Sequence, residues 1–449
     1  MQNNKSYLVL CIVIVILLCV AQVLGSTMLI LPCLAAFLVL VGWSCSHNFT
    51  LPILLFFLPW SPVLRTSPLG YSFFTFGLIL VCGISIIKKR FKFRKYPIVA
   101  GILLLLMTLI SKVIDGSGLT FDYIAFIMLI VLFPVVKGEW TVKKYDFYQV
   151  VVFFSLGIII AALCALNLVV FPSIARYIRV DAYATITRRS GFYGDANFYT
   201  AQITAALGGC LTLVLREKKW GRALFMGILL ALLLYCGFLS ASKSFIIVSA
   251  IMIAIWIIAL LRIQGRKGMK IVLLVATAAL AIFVATSAVF RDLITVVTTR
   301  FSYAKDLNSL TTGRTGLWRL YLDEILSSPK IFFLGKGFTN VKVEGRAPHN
   351  TLIQSVFQFG FIGVPVLIYW IGSFYRGASY RGRRKKIPAL YLLITMIGAF
   401  MPWLAVDALF FDEFFLLQWY VFCAVQQLKN EDATDLVPVE DNYGRDNQE

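Results

Sequence analysis

Charge is scarce in this chain. Of 449 residues, 14% are Asp, Glu, Lys or Arg, against roughly 25% in soluble domains. So few polar side chains cannot cover a water-soluble globule of this size. That excludes a cytosolic enzyme, a disordered chain and a secreted disulfide scaffold. Histidine is scarcer still: His47 and His349 are the only two, which excludes a histidine-rich metal site. The nine cysteines (11, 19, 33, 45, 82, 164, 210, 236 and 423) all fall in or beside apolar runs. With no CxxC pair and no cysteine in a long polar loop, they describe neither a disulfide framework nor a metal centre.

What is abundant is apolar. The hydrophobic fraction is 59% and the mean hydropathy +0.84. A hydrocarbon span takes roughly 20 apolar residues, so the pattern reads as an all-α polytopic transmembrane bundle of about fourteen spans. They fall near 7–25, 27–44, 50–64, 70–87, 97–113, 121–136, 147–171, 197–215, 222–240, 244–261, 271–290, 351–375, 387–406 and 408–427. The third is short and carries Pro52, Pro59 and Pro62, the mark of a broken or re-entrant helix. The first is longer than a signal-peptide core and is kept as an uncleaved helix.

The net charge of +20 suggests nucleic acid until the charges are placed. Connections and terminal segments on one side of the alternating spans hold 26 of the 42 basic residues. By the positive-inside rule that side is cytoplasmic, along with both termini. No nucleic-acid partner is read from the charge. An acidic cytoplasmic tail, 430–449, is expected to be disordered.

Two extracytoplasmic loops, about 172–196 and 291–350, hold the unusual polar content, and long loops of this kind carry function. Both are net basic, where the positive-inside rule disfavours basic residues. A polyanionic ligand is one reason for such a cluster, because arginine grips phosphate with a planar fork. Solvated charge or lipid headgroup contact is the other. Within the second loop, Leu317, Trp318, Tyr321, Leu322, Ile325 and Leu326 recur at helical spacing up to Ser327-Ser328-Pro329. That reads as a short amphipathic helix on the outer membrane surface.

Five strings stand out. Arg188-Arg189-Ser190-Gly191-Phe192-Tyr193-Gly194-Asp195-Ala196-Asn197 precedes a span; its glycines permit a tight turn, and Asp195 or Asn197 can cap the helix, whose N-terminus favours an anion. Ser240-Ala241-Ser242-Lys243-Ser244 makes a turn between spans, where Lys243 either binds a ligand or snorkels. Thr312-Gly313-Arg314-Thr315 opens the loop helix, setting Arg314 in a first turn whose N–H groups also face an anion. Gly335-Lys336-Gly337 and Pro348-His349-Asn350 lead into the next span. His349 is the only histidine on the outer side, hence the natural proton acceptor there.

In this order the strings resemble the O-antigen polymerase and O-antigen ligase superfamily of bacterial membrane glycosyltransferases. The resemblance rests on Arg189-Ser190-Gly191 through Asp195-Ala196-Asn197, Ser240-Ala241-Ser242-Lys243, Gly313-Arg314 with Trp318, Gly335-Lys336-Gly337, His349-Asn350 and Gly360-x-x-Gly363. It covers about 185–365, under half the chain. Ala196 stands where the family often has proline, and the first six spans carry no motif of it. The resemblance implies cofactor-free, metal-independent transfer of a glycan from undecaprenyl diphosphate on the outer face of the bacterial cytoplasmic membrane. Arg189 and Arg314 would bind the diphosphate, and His349 would orient or deprotonate the acceptor hydroxyl. Arg188, Gly191, Asp195, Asn197, Lys243, Trp318 and Asn350 would line the substrate site. The partners implied are the lipid-linked oligosaccharide, membrane lipids, a chain-length regulator and a flippase.

The leading expectation is a polymerase of lipid-linked repeat units into O-antigen, capsule or exopolysaccharide. A ligase, transferring the glycan to lipid A core or protein, differs only in acceptor. A polytopic transporter is the remaining alternative, disfavoured because Asp122, Lys243, Asp407, Asp412 and Glu413 fall near span ends rather than mid-span and no internal repeat is visible. The topology has a direct test. Cysteines introduced near 180 and 340 should react with a membrane-impermeant maleimide from outside, and those near 92 and 384 should not; the reverse pattern overturns the orientation.

Overall fold

The computed structural model describes residues 2–65, 72–88, 95–116, 121–136, 146–166, 182–183, 186–187, 189–216, 219–262, 313–338, 342–375 and 386–434, with 295, 298, 301–302, 306, 308 and 311. Outside the described residues lie Arg188, the expected span 271–290, residues 172–181 of the first loop, most of 291–312 and the tail from 435.

Helices dominate the described residues. They are α1 (Gln2–Val23), α2 (Thr27–Ser46), α3 (Thr50–Phe57), α4 (Phe73–Ile87), α5 (Lys95–Asp115), α6 (Phe121–Leu132) and α7 (Phe147–Ala165). Then come α8 (Ala196–Arg216), α9 (Trp220–Leu239), α10 (Lys243–Arg262), α11 (Arg314–Leu326), α12 (Pro329–Leu334), α13 (Thr351–Tyr375), α14 (Lys386–Phe400) and α15 (Asp412–Thr434). Eight of them, α1, α2, α5, α7, α8, α9, α10 and α13, are long and apolar enough to cross a membrane. Their outward faces carry large apolar side chains, with Met28 86% and Val113 80% exposed. That surface suits a bilayer and not water.

The structure thus bears out a polytopic all-α bundle with eight such helices. It departs from the sequence reading in detail. A two-residue antiparallel ladder, Ala182–Tyr183 with Ile186–Thr187, lies in the first loop. Residues 430–434 continue α15 instead of starting a tail. The amphipathic helix does stop at Ser327-Ser328-Pro329, as expected; Pro329 then begins a separate helix, α12, because proline fits the first turn, where no N–H is needed.

The core is organised around α8. All of its residues up to Leu215 are buried except Asn197. A helix apolar on every side must be enclosed by others, and α7, α9, α10 and α14 enclose it. Small residues let backbones approach, and polar side chains join them. Tyr420 donates to the Ala205 carbonyl (3.0 Å) over Gly209, Thr212 to the Tyr391 carbonyl (3.0 Å), and Trp256 Nε1 to the Leu211 carbonyl (3.0 Å).

Among the described residues, α3 and α13 break as the constraint on backbone polar groups allows. The α3 helix, wholly buried, passes into a 3-10 turn at Leu58–Trp60, where Pro59 sits. In α13 the helix is interrupted at Gly360, with φ +61° and ψ −176°. The break frees the carbonyls of Phe357 and Gln358, which accept from Lys336 N (2.9 Å) and Gly337 N (2.8 Å). Gly335 and Gly360 meet backbone to backbone, with no room for a Cβ on either. These glycine strings, part of what carries the resemblance, form a latch between α12 and α13.

The α11 helix buries Leu317, Tyr321 and Ile325 in a small second core with Ile331 and Phe357. Leu322 and Leu326 stay exposed on its other face. Close approach of α3 to α7 supplies a stability test. A Cβ on Gly157 would collide with the Phe56 backbone carbonyl, and overpacking of this kind costs about 1–3 kcal/mol or more. Gly157→Ala should lower the thermal midpoint of the detergent-solubilised protein; an unchanged midpoint would contradict the α3–α7 packing.

Candidate functional site

The strings singled out in sequence gather at one end of the bundle. The turn 189–195 is the first component. Gly191, at φ +58°, lies against the Tyr199 ring, which a side chain there would strike. Tyr193 holds the turn down: its hydroxyl meets Ser61 Oγ (2.9 Å), the Leu58 carbonyl (3.0 Å) and Gln202 Nε2 (2.8 Å). Gln202 also donates to the buried Glu413 carboxylate (2.8 Å). This network places Asp195, whose Oδ1 accepts from the Asn197 N–H (2.6 Å) and Asn197 Nδ2 (2.9 Å).

The second component is the hairpin between α9 and α10. Asn197 Oδ1 accepts from Ser242 Oγ (3.0 Å), and Arg189 N–H donates to the Leu239 carbonyl (3.1 Å). Turn and hairpin are one unit.

The third is His349. It is a non-glycine residue at φ +47°, a strained conformation that persists only when neighbours enforce it. Several neighbours do. Trp318 Nε1 donates to the Pro348 carbonyl (2.9 Å), and Tyr321 to the Arg346 carbonyl (2.8 Å). Asn350 Oδ1 caps α13 by accepting from Leu352 N (2.9 Å) and Ile353 N (3.2 Å). The Asn350 N–H donates to Asp407 Oδ1 (3.1 Å), and Thr351 Oγ1 to the Val406 carbonyl (2.7 Å).

His349 Nδ1 then lies 3.6 Å from Asp407 Oδ2 and 4.0 Å from Asp195 Oδ2, with no hydrogen bond made. Two carboxylates on the Nδ1 side favour the tautomer with hydrogen on Nδ1, which leaves Nε2 with a free lone pair. Asp407 is 7% exposed. Burial pushes its carboxyl above the ordinary aspartate value; the His349 charge, the Asn350 and His349 N–H groups and the Arg314 charge oppose that rise. Arg314 is therefore close enough to act on this carboxylate.

Asp407 was read in sequence only as a charge near a span end. Its partner, the 349–350 segment, lies 57 residues upstream at Asn350, and no local pattern signals the pairing.

The structure brings together His349, Asn350, Asp195, Asn197, Trp318 and Arg314. Two others are seen on different partners. The Arg189 guanidinium reaches the Leu166 carbonyl (3.5 Å), and Lys243 Nζ sits 5.6 Å over the Phe301 ring. Neither expected helix N-terminus is free for an anion. Asp195 itself occupies that of α8. Asn308 and Thr311 cap α11, accepting from Gly316 N (3.0 Å) and Thr315 N (3.2 Å). The other histidine, His47, bonds Tyr7 (2.8 Å) and takes no part in the cluster. Among the described residues no group of three or more His, Cys, Asp or Glu is placed to hold a metal ion.

No protein-family model matches the chain, and no curated protein sequence does.

Asp407 has a signature in stability. Its folded pKa is raised, so the native state holds a proton that the unfolded chain has already lost. Stability therefore falls as pH climbs from the ordinary aspartate value, near 4, through the raised one. Asp407→Asn should remove that slope in thermal melts run upward from about pH 4. An identical slope in the variant would remove Asp407 as its source.

Proposed function

We propose that the chain is a membrane glycosyltransferase that polymerises undecaprenyl diphosphate-linked repeat units into surface polysaccharide. One observation carries the reading: a lone imidazole with two carboxylates within 4.0 Å of its Nδ1, one of which also feels the charge of Arg314, at one end of a membrane-type helical bundle. In this reading the bundle has fourteen spans in the bacterial cytoplasmic membrane, with both termini cytoplasmic and the His349 end outside. The α11 helix lies along the outer membrane surface, its exposed leucines in the headgroup region.

The chemistry follows from the residues. The acceptor hydroxyl oxygen attacks the anomeric carbon of the donor sugar. His349 Nε2 takes the hydroxyl proton, with Asp407 and Asp195 stabilising the imidazolium that forms. The bond from the anomeric carbon to the diphosphate oxygen breaks, and its electron pair leaves with the lipid diphosphate. Preorganised arginine charge at that oxygen lowers the barrier. Arg314 is near enough in this structure to serve, and Arg189 serves by swinging from the Leu166 carbonyl on donor binding. A lipid-linked donor accounts for a site at the membrane edge, since its tail stays in the bilayer while its head reaches the loops.

The same geometry suits a ligase, because polymerase and ligase share the donor and differ in acceptor. A strain lacking the protein separates them. Single repeats on the cell acceptor without long chains indicate a polymerase; unattached lipid-linked polymer indicates a ligase.

His349→Ala should reduce glycan extension by about 10²–10⁴-fold while expression and membrane insertion persist. Normal polymer length in that variant defeats the proton-acceptor role. Arg314→Lys and Arg189→Lys should each impair extension, because a point charge does not replace a fork. Unimpaired transfer in both removes them from the leaving-group site.

A further inference from the structure

The loop that follows α3 carries an arginine that the glycosyl-transfer reading leaves unused. The chain at Leu64–Arg65 runs back antiparallel against Ser72–Phe73. Arg65 pairs with Ser72 across a bridge, and Phe73 N–H donates to the Leu64 carbonyl (3.0 Å). Directly opposed residues of such a pair project to the same face. Arg65 Nε and Ser72 Oγ are both buried, and both lack a hydrogen-bond partner among the described residues. Ser72 precedes α4 as its N-cap residue, yet its hydroxyl caps nothing.

Two unsatisfied polar groups on one rung are unusual. Buried donors are nearly always paired, because an unpaired one forfeits its bonds to water without replacement. A single orphan is often strain; a guanidinium N–H and a hydroxyl side by side call for a shared acceptor from outside the chain. Guanidinium and hydroxyl together match a phosphate oxyanion. The N-terminus of the 15-residue α4 adds favourable dipole to that rung.

The rung sits at the His349 end. Ser61, four residues before Arg65, bonds Tyr193 (2.9 Å), and the Trp60 and Phe192 rings meet at a tilt with centroids 5.0 Å apart. Tyr193 lies two residues before Asp195, whose carboxylate is 4.0 Å from His349. On the other side Thr75 Oγ1 donates to Asp412 (3.1 Å), at the start of α15 and just beyond Asp407. The rung is therefore tied on both flanks to segments that build the His349 cluster.

We infer that Arg65 and Ser72 form a phosphate-oxyanion site at the membrane edge, beside the His349 cluster. As a part of donor recognition it rests on the glycosyl-transfer reading, with Arg65 as a third guanidinium for the lipid diphosphate. A phospholipid headgroup offers the same chemistry.

The test uses the full chain in detergent and in nanodiscs, with inorganic pyrophosphate as probe. Pyrophosphate should raise the thermal midpoint of the unsubstituted protein. Arg65→Met and Ser72→Ala should each weaken its apparent affinity about tenfold or more. They should leave the ligand-free midpoint unchanged or higher, since each removes an orphan. That last readout separates a ligand site from a structural arginine, whose loss lowers the ligand-free midpoint. A second arm compares retention of phosphatidylglycerol over phosphatidylcholine in purified protein. Loss of pyrophosphate response assigns the site to the donor diphosphate. Loss of phosphatidylglycerol retention alone assigns it to a headgroup. If both variants keep both properties, or melt lower without ligand, the site is overturned. Loss of the pyrophosphate response in Arg314→Lys beside intact Arg65 and Ser72 variants refutes this site and leaves the glycosyl-transfer reading standing. Silence of the unsubstituted protein toward pyrophosphate counts against that reading and leaves the lipid arm to decide the site.

Discussion

A buried carboxylate, that of Asp407, joins the segment before α15 to the start of α13. It accepts the Asn350 N–H at 3.1 Å and lies 3.6 Å from His349 Nδ1. Thr351 bonds the same segment in both directions, donating to the Val406 carbonyl and accepting from Ala408 N. The strained backbone of His349 is tolerable only because these bonds, with Asn350 capping α13, leave it no other conformation. If this contact were released, the imidazole would lose both its orientation and its electrostatic partner.

The same economy of backbone hydrogen bonding governs the rest of the bundle. Where water is excluded, a helix can break only if the freed carbonyls find donors nearby. In α13 the break at Gly360 is met by Lys336 N and Gly337 N. At α3 the chain passes through a 3-10 turn whose Leu58 carbonyl accepts from Tyr193. Both devices stand close to the candidate site. One anchors the segment leading to His349, and the other anchors the turn carrying Asp195. At both places irregular backbone holds polar side chains against an apolar scaffold.

Residue roles sort along that line. Gly191, Gly335, Gly337 and Gly360 are architectural, set by positive φ and close backbone approach. Asn350, Asn197 and Trp318 hold segments in register. Asp195, His349, Asp407 and Arg314 are left as the group able to move a proton and stabilise charge. Arg189 belongs with them only if its guanidinium leaves the Leu166 carbonyl.

Much was legible from the chain alone. Apolar runs of about twenty residues mark helices through composition, with no knowledge of neighbours. The amphipathic stretch from Leu317 to Ile325 is a local periodicity and appears as α11. His349 and Asp195 are conspicuous as polar groups at the edges of apolar runs. The rest depends on distance along the chain. Asp407 meets Asn350 across 57 residues, Tyr193 meets Ser61 across 132, and Glu413 meets Gln202 across 211. Local pattern carries no information on such pairs, because they arise from which helices pack together. Composition and periodicity therefore determined the kind of protein and its elements. Packing alone decided which carboxylates face the imidazole, which way Arg189 turns, and which helix N-termini remain open.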